Sequence, residues 1–77
     1  MDNKKKILGH RIRIRCQQKG WSSRQLAMKI SIRAQSLHAI EHGEVWPSLP
    51  TLLALAQALD CSLDWLCGLT DHPEDHN

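Results

Sequence analysis

The chain of 77 residues reads as an all-α domain of five helices, on three observations. Apolar residues recur three and four apart, as in Leu8, Ile12 and Cys16, and Leu52, Leu53, Leu55, Ala56 and Leu59 give a second segment a wide apolar face; that is the pattern of helices with one buried face. Serines open these segments at Ser22, Ser48 and Ser62, and glycines close them at Gly20, Gly43 and Gly68. The apolar content is mostly Leu, Ile and Ala, with no Tyr or Phe, which suits helices better than strands.

Residues 1–6 read as a flexible basic arm, 7–68 as the folded domain and 69–77 as a polar, frayed tail. Helix 1 is expected from about Ile7 to Gln18, with Leu8, Ile12 and Cys16 inward and Arg11, Arg13 and Arg15 spread around it. In helix 2, Ser22 and Gln25 form a capping box, and Trp21 is placed to staple onto Leu26. Leu26, Ala27 and Ile30 face inward, and Ser31 and Ile32 turn the chain. Helix 3 spans about Arg33 to His42, with Leu37 and Ile40 buried. Ser48 caps helix 4, about Leu49 to Leu59, with Pro50 in its first turn where no intrahelical N–H is lost. Asp60 and Cys61 form a turn, and Ser62 caps a short helix 5 with Asp64 near the positive end of its dipole.

A net charge of +2 conceals a strong polarity. All ten Lys and Arg lie between Lys4 and Arg33, against Asp2 alone, a formal +9; the segment from residue 34 onward holds seven acids and no Lys or Arg, a formal −7. A basic half attracts a polyanion while the acidic half turns away. No apolar run approaches membrane-spanning length, and Lys4–Lys6 are not followed by a signal-peptide core, so a soluble cytoplasmic protein is expected. Cys16, Cys61 and Cys67 are an odd number with no CxxC pair, and read as reduced, buried thiols. His38 and His42, and His72 and His76, have the i, i+4 spacing of metal ligands, but neither pair has an evident third ligand. No cofactor motif, phosphate loop or nucleophile with a base is present, so neither metal, cofactor nor enzymatic activity is expected.

Residues 22–43 have the layout of a DNA-reading helix-turn-helix: two short helices, a tight turn, and a second helix with a polar outer face. Around them stand Leu8-Gly9-x-Arg11-Ile12-Arg13, Lys19-Gly20, Leu26-Ala27, Ile40-Glu41-x-Gly43, Pro47-Ser48-Leu49 and Ser62-Leu63-Asp64-Trp65-Leu66-x-Gly68. In this order and spacing, covering about Leu8 to Asp71, the chain resembles the Cro and phage-repressor-like (XRE) family. That resemblance implies a five-helix lambda-repressor-like fold, dimerisation, and binding of operator DNA. The chain departs from the family pattern at Ser31 in the turn, Ser23 after the helix-2 cap, Cys16 near the end of helix 1, Arg33 at the helix-3 cap and Glu44 in the following loop. The lost arginine at position 16 leaves Glu41 to pair with Arg15 or to stay solvated.

The expected base-contacting residues are Arg33, Ala34, Gln35, Ser36, His38 and Ala39. Gln35 is the sharpest, because its amide gives and takes a hydrogen bond at adenine N6 and N7. Ala34 and Ala39 offer methyl groups to the thymine methyl. Phosphate contacts are expected from Ser22, Ser23, Arg24, Lys29 and His42, with some helix-1 bases reaching the backbone. A dimer contact is expected from Leu63, Trp65, Leu66 and Leu69, with Trp46 under its own loop or against a partner. The expected function is therefore a transcriptional regulator, as a repressor, whose homodimer binds double-stranded DNA at a near-palindromic operator. The competing reading is an antitoxin-like module that grips a protein partner and binds DNA only secondarily; a cysteine-based redox or metal sensor is a third.

Overall fold

The computed structural model describes residues 3–74. They form α1 (Lys4–Lys19), α2 (Ser23–Lys29), α3 (Ala34–Glu41), α4 (Leu49–Leu59) and α5 (Leu63–Leu66). None of these helices is long and apolar enough to cross a membrane. The expected arm is corrected in part: Lys4–Lys6 are the first turn of α1, and the Ile7 N–H donates to the Asn3 carbonyl at 3.0 Å. Lysine is a good helix former and nothing breaks the helix ahead of Ile7. Met1 and Asp2 lie outside the described residues.

Helix α1 is the axis of the molecule and packs against each of the other four helices. Its stripe Leu8, Ile12 and Cys16 meets Leu26 and Ala27 of α2, Leu37 and Ile40 of α3, Leu55, Ala56 and Leu59 of α4, and Trp65 and Leu66 of α5 in one buried cluster. Ile7 and Ile14, off the stripe, are half-buried. Gly9 lets α1 reach the end of α3: a Cβ there would stand 2.2 Å from the Glu41 carbonyl oxygen. A mid-helix glycine costs roughly 1 kcal/mol of helix propensity, and here it is offset by this close approach.

All five helices stop in the same way. Gly20, Ser31, Gly43, Asp60 and Gly68 are the positive-φ residues among those described, and each follows one helix. After each, a pair of backbone bonds folds the chain over the last turn: Trp21 N–H to the Cys16 carbonyl, Ile32 to Ala27, Glu44 to Ala39, Cys61 to Ala56 and Leu69 to Asp64, each with an inner partner bond. This is the Schellman arrangement. Three positions carry the glycine that the conformation favours. At Ser31 (φ 61°) and Asp60 (φ 55°) a side chain is held left-handed, at a cost of roughly 1 kcal/mol each.

A Schellman stop leaves the very last carbonyls of α3 and α4 without a backbone partner, and α1 supplies one from Arg13 and Arg15; Arg11 adds a second donor to a carbonyl of α5 that already accepts from the Gly68 N–H. Arg13 Nη1 donates to the Glu41 carbonyl at the end of α3, at 2.7 Å. Arg15 donates to the end of α4: Nε and Nη2 to the Leu59 carbonyl at 3.0 and 2.8 Å, and Nη2 to the Asp60 carbonyl at 2.9 Å. Arg11 donates to the Trp65 carbonyl of α5 and to the Thr70 carbonyl at 2.8 Å, with its guanidinium 4.8 Å from the Trp65 ring centre. Cations at helix C-termini are also favoured by the dipole. Arg11 and Arg15 are thus engaged inside the molecule, while Arg13 is exposed and commits one Nη to the Glu41 carbonyl.

The tail is likewise corrected up to Pro73. It folds back so that the Ser62 N–H donates to the Pro73 carbonyl at 2.8 Å, and Asp71 pairs with Arg11 at 3.3 Å. Asp75, His76 and Asn77 lie outside the described residues, and with them the expected His72–His76 pair.

Candidate nucleic-acid interface

The α2–turn–α3 unit is built as its sequence dictates. The Ser22 hydroxyl accepts from the Gln25 N–H at 3.1 Å and the Gln25 side chain accepts from the Ser22 N–H at 2.8 Å, closing the capping box. Trp21 packs half-buried against the core and carries the Lys29 ammonium 4.5 Å and the Lys19 ammonium 5.4 Å from its ring centre. Past Ser31, the chain enters α3 at Arg33, whose side chain makes no cap bond.

Leu37 and Ile40 pin α3 to the core. Arg33, Ala34, Gln35, Ser36 and His38 are exposed and Ala39 half-exposed, so all six expected base-contacting side chains lie at the surface on this helix. His38 and His42 stack on each other with ring centres 3.9 Å apart, and His42 Nδ1 donates to the His38 carbonyl at 2.9 Å. Stacked rings do not converge their nitrogens on one point, and the described residues hold no group of three or more His, Cys, Asp or Glu able to take a metal.

The expected phosphate contacts divide. Arg24, Lys29 and His42 are exposed. Ser23 is exposed too, but its hydroxyl donates to the Glu41 carboxylate, with Oε1 and Oε2 both at 2.9 Å, which leaves its backbone N–H for a phosphate. Glu41 is only 4% exposed, so the partner left open between Arg15 and solvent is Ser23. The start of α2 thus already faces one anion. Ser22 keeps its hydroxyl hydrogen after accepting in the capping box.

The expected dimer face is also corrected. Trp65 is 7% exposed and Leu66 fully buried within the single chain. A four-residue helix that docks on α1 and α4 buries its large residues there, with Arg11 covering the Trp65 ring. Leu63 is half-buried and Leu69 is exposed. Exposed apolar residues stand elsewhere: Leu49 and Leu53 one turn apart on α4, where Leu53, expected on the apolar face, lies beyond the stripe Leu55, Ala56 and Leu59 that meets the core, and Val45 and Trp46 in the loop before it. Trp46 is not wedged under its loop. It walls an open slot of about 420 Å³ against Ser36 and Ala39 of α3. The sequence signal for this feature was the uncharged run Val45-Trp46-Pro47.

The cysteines have little nucleophilic character. Burial, and then the Glu41 charge, push the Cys16 thiol up to about 11. Burial likewise raises Cys61 and Cys67. Thiolate, the reactive and metal-binding form, is suppressed at all three.

The sequence matches the HTH_3 helix-turn-helix family over residues 12–66. It is 42% identical over 50 residues to an uncharacterized HTH-type transcriptional regulator, YobD, of Bacillus subtilis strain 168; the match covers 65% of this chain and 45% of that protein, less than half its length. The fold superposes with a TM-score of 0.74 on the restriction-modification controller protein C.AhdI from Aeromonas hydrophila, at 31% identity, over 80% of this chain and 94% of the other.

Proposed function

Because the chain belongs to the HTH_3 helix-turn-helix family, we propose that it is a non-enzymatic, sequence-specific DNA-binding transcriptional regulator, acting as a repressor, that reads the major groove with α3. The observation that carries the reading is the split of α3: Leu37 and Ile40 are buried while Arg33 at its cap and Ala34, Gln35, Ser36 and His38 are exposed. An α-helix with its polar side exposed fits the major groove, and its leading residues reach base edges there. Arg24, Lys29 and Arg33 flank that face with exposed positive charge for the phosphates. Gln35 reads adenine, Arg33 takes guanine or a phosphate, and Ala34 and Ala39 meet thymine methyl groups.

The regulator acts as a homodimer on a near-palindromic operator in the cytoplasm, with two copies of α3 in successive major grooves about 34 Å apart. Selection from a random duplex pool tests this. The expected result is a two-fold symmetric motif with half-sites about ten base pairs apart, and affinity that falls steeply with salt. Failure to enrich any sequence, or a flat salt response, contradicts it. Exposed Leu49, Leu53 and Leu69 favour a second reading, a module that grips another protein. A stoichiometric heterologous complex, with no motif enriched from the pool, supports that reading instead.

A further inference from the structure

The slot between α3 and the loop that follows it has a chemistry of its own. It is lined by Ser36, Ala39 and Ile40 of α3, by Val45, Trp46 and Pro47 of the loop, by Ser48 and Thr51 at the start of α4, and by Ile32. Among the described residues, no charged one lines it. Of its hydroxyls, Ser48 and Thr51 engage each other: Ser48 Oγ donates to Thr51 Oγ1 at 3.1 Å and accepts from the Thr51 N–H at 3.4 Å. A phosphate held here would find no cationic side chain among the lining residues. The slot is nevertheless open, and Trp46 and Val45 remain 43% and 46% exposed. Ser36 and Ala39 belong both to it and to the outward side of α3, so whatever lies against α3 also lies against the slot.

We propose that this slot is a methyl-reading subsite, in which Val45 and Trp46 join Ala39 in receiving the C5-methyl group of a thymine in the major groove. The inference rests on the DNA-reading role proposed above and extends it to two loop residues beyond the recognition helix. The thymine methyl is the apolar group that a base edge displays in the major groove. It suits a site whose walls are largely apolar and uncharged. Discrimination of thymine from a base without the methyl follows from burial of one methyl-sized group, about fourfold in affinity, the equivalent of roughly 0.8 kcal/mol.

The test uses the duplex selected from a random pool, with each thymine replaced in turn by deoxyuridine, which removes the methyl and leaves every hydrogen-bonding group in place. Wild-type protein is expected to lose about fourfold in affinity at one thymine position per half-site. The variant Val45→Ser/Trp46→Ser is expected to bind the thymine and deoxyuridine duplexes equally at that position. Both residues are exposed loop positions, and circular dichroism confirms that the variant stays folded. The inference is overturned if no thymine-to-deoxyuridine change matters, or if every sensitive position stays as sensitive in the variant as in the wild type, which assigns the methyls to Ala34 and Ala39 alone. It is also overturned if the variant changes the oligomeric state in sedimentation, since the slot is then filled by a second copy. Failure to select any duplex removes the DNA-reading role itself and the inference with it, a result distinct from binding without methyl sensitivity.

Discussion

Replacing Arg15 by Met separates the two roles that a basic residue on α1 can play. The methionine keeps most of the apolar stem and removes the guanidinium. Three charge-assisted bonds to the Leu59 and Asp60 carbonyls are lost, along with one to the Gln18 side chain at 2.8 Å. Hydrogen bonds to a charged group contribute about 1.5–3 kcal/mol each when fully formed and dry. The end of α4 is only partly buried, so water replaces part of the loss, and a total of about 2–3 kcal/mol is expected. For a domain of 77 residues that lowers the melting temperature by about 10–20 °C. Arg15→Lys recovers little, because one ammonium cannot reproduce the planar fork across two carbonyls. Thermal and urea unfolding give the stability. DNA affinity at several salt concentrations, measured well below the melting point, gives the second readout. Its slope is expected to be unchanged, since Arg15 neutralises no phosphate, whereas Arg24→Ala reduces the slope by about one. A variant as stable as wild type, or one that stays stable and loses salt dependence, refutes the assignment of Arg15 to the end of α4.

Gly9→Ala puts a Cβ 2.2 Å from the Glu41 carbonyl oxygen; α1 and α3 must part, for a net loss of at least about 2 kcal/mol despite alanine's better helix propensity, read by urea unfolding. Ser31→Gly relieves a left-handed serine and is expected to stabilise by roughly 1 kcal/mol with the fold unchanged. Cys16 titrates at about 11 in the folded chain against an ordinary value of 9.0. The unfolded chain therefore gives up this proton first as pH rises, so the stability it contributes is intact below pH 9 and is lost toward pH 11. Cys16→Ala is expected to flatten that alkaline decline in unfolding experiments run across the range.

Local features were legible in the sequence because they are written within a few residues. The caps Ser22, Ser48 and Ser62 and the bounds of α4 follow from side chains that bond three positions on. The outward set on α3 follows once Leu37 and Ile40 define the inner side. The start of α1 was missed because a helical turn of lysines shows no apolar period, only propensity. The three arginine contacts join residues 28 to 60 positions apart and leave no mark in periodicity. The available clue was a matching of needs: helices ending in carbonyls with acceptor capacity to spare, and three arginines on the helix that touches them. Trp65 was misplaced outward because a helix of four residues is too short to reveal which side is buried. The bond of Ser23 to Glu41 depends on the α2–α3 crossing, which spacing alone does not supply. The slot beside Trp46 needs the path of the loop as well as its composition.

The most direct measurement is the affinity of Gln35→Ala for the selected duplex and for every single base-pair variant of it. If α3 reads the major groove, the substitution lowers affinity for the selected duplex by about 1–3 kcal/mol and abolishes preference at one base pair per half-site, leaving the others intact. Affinity and preference both equal to those of the wild type contradict the account.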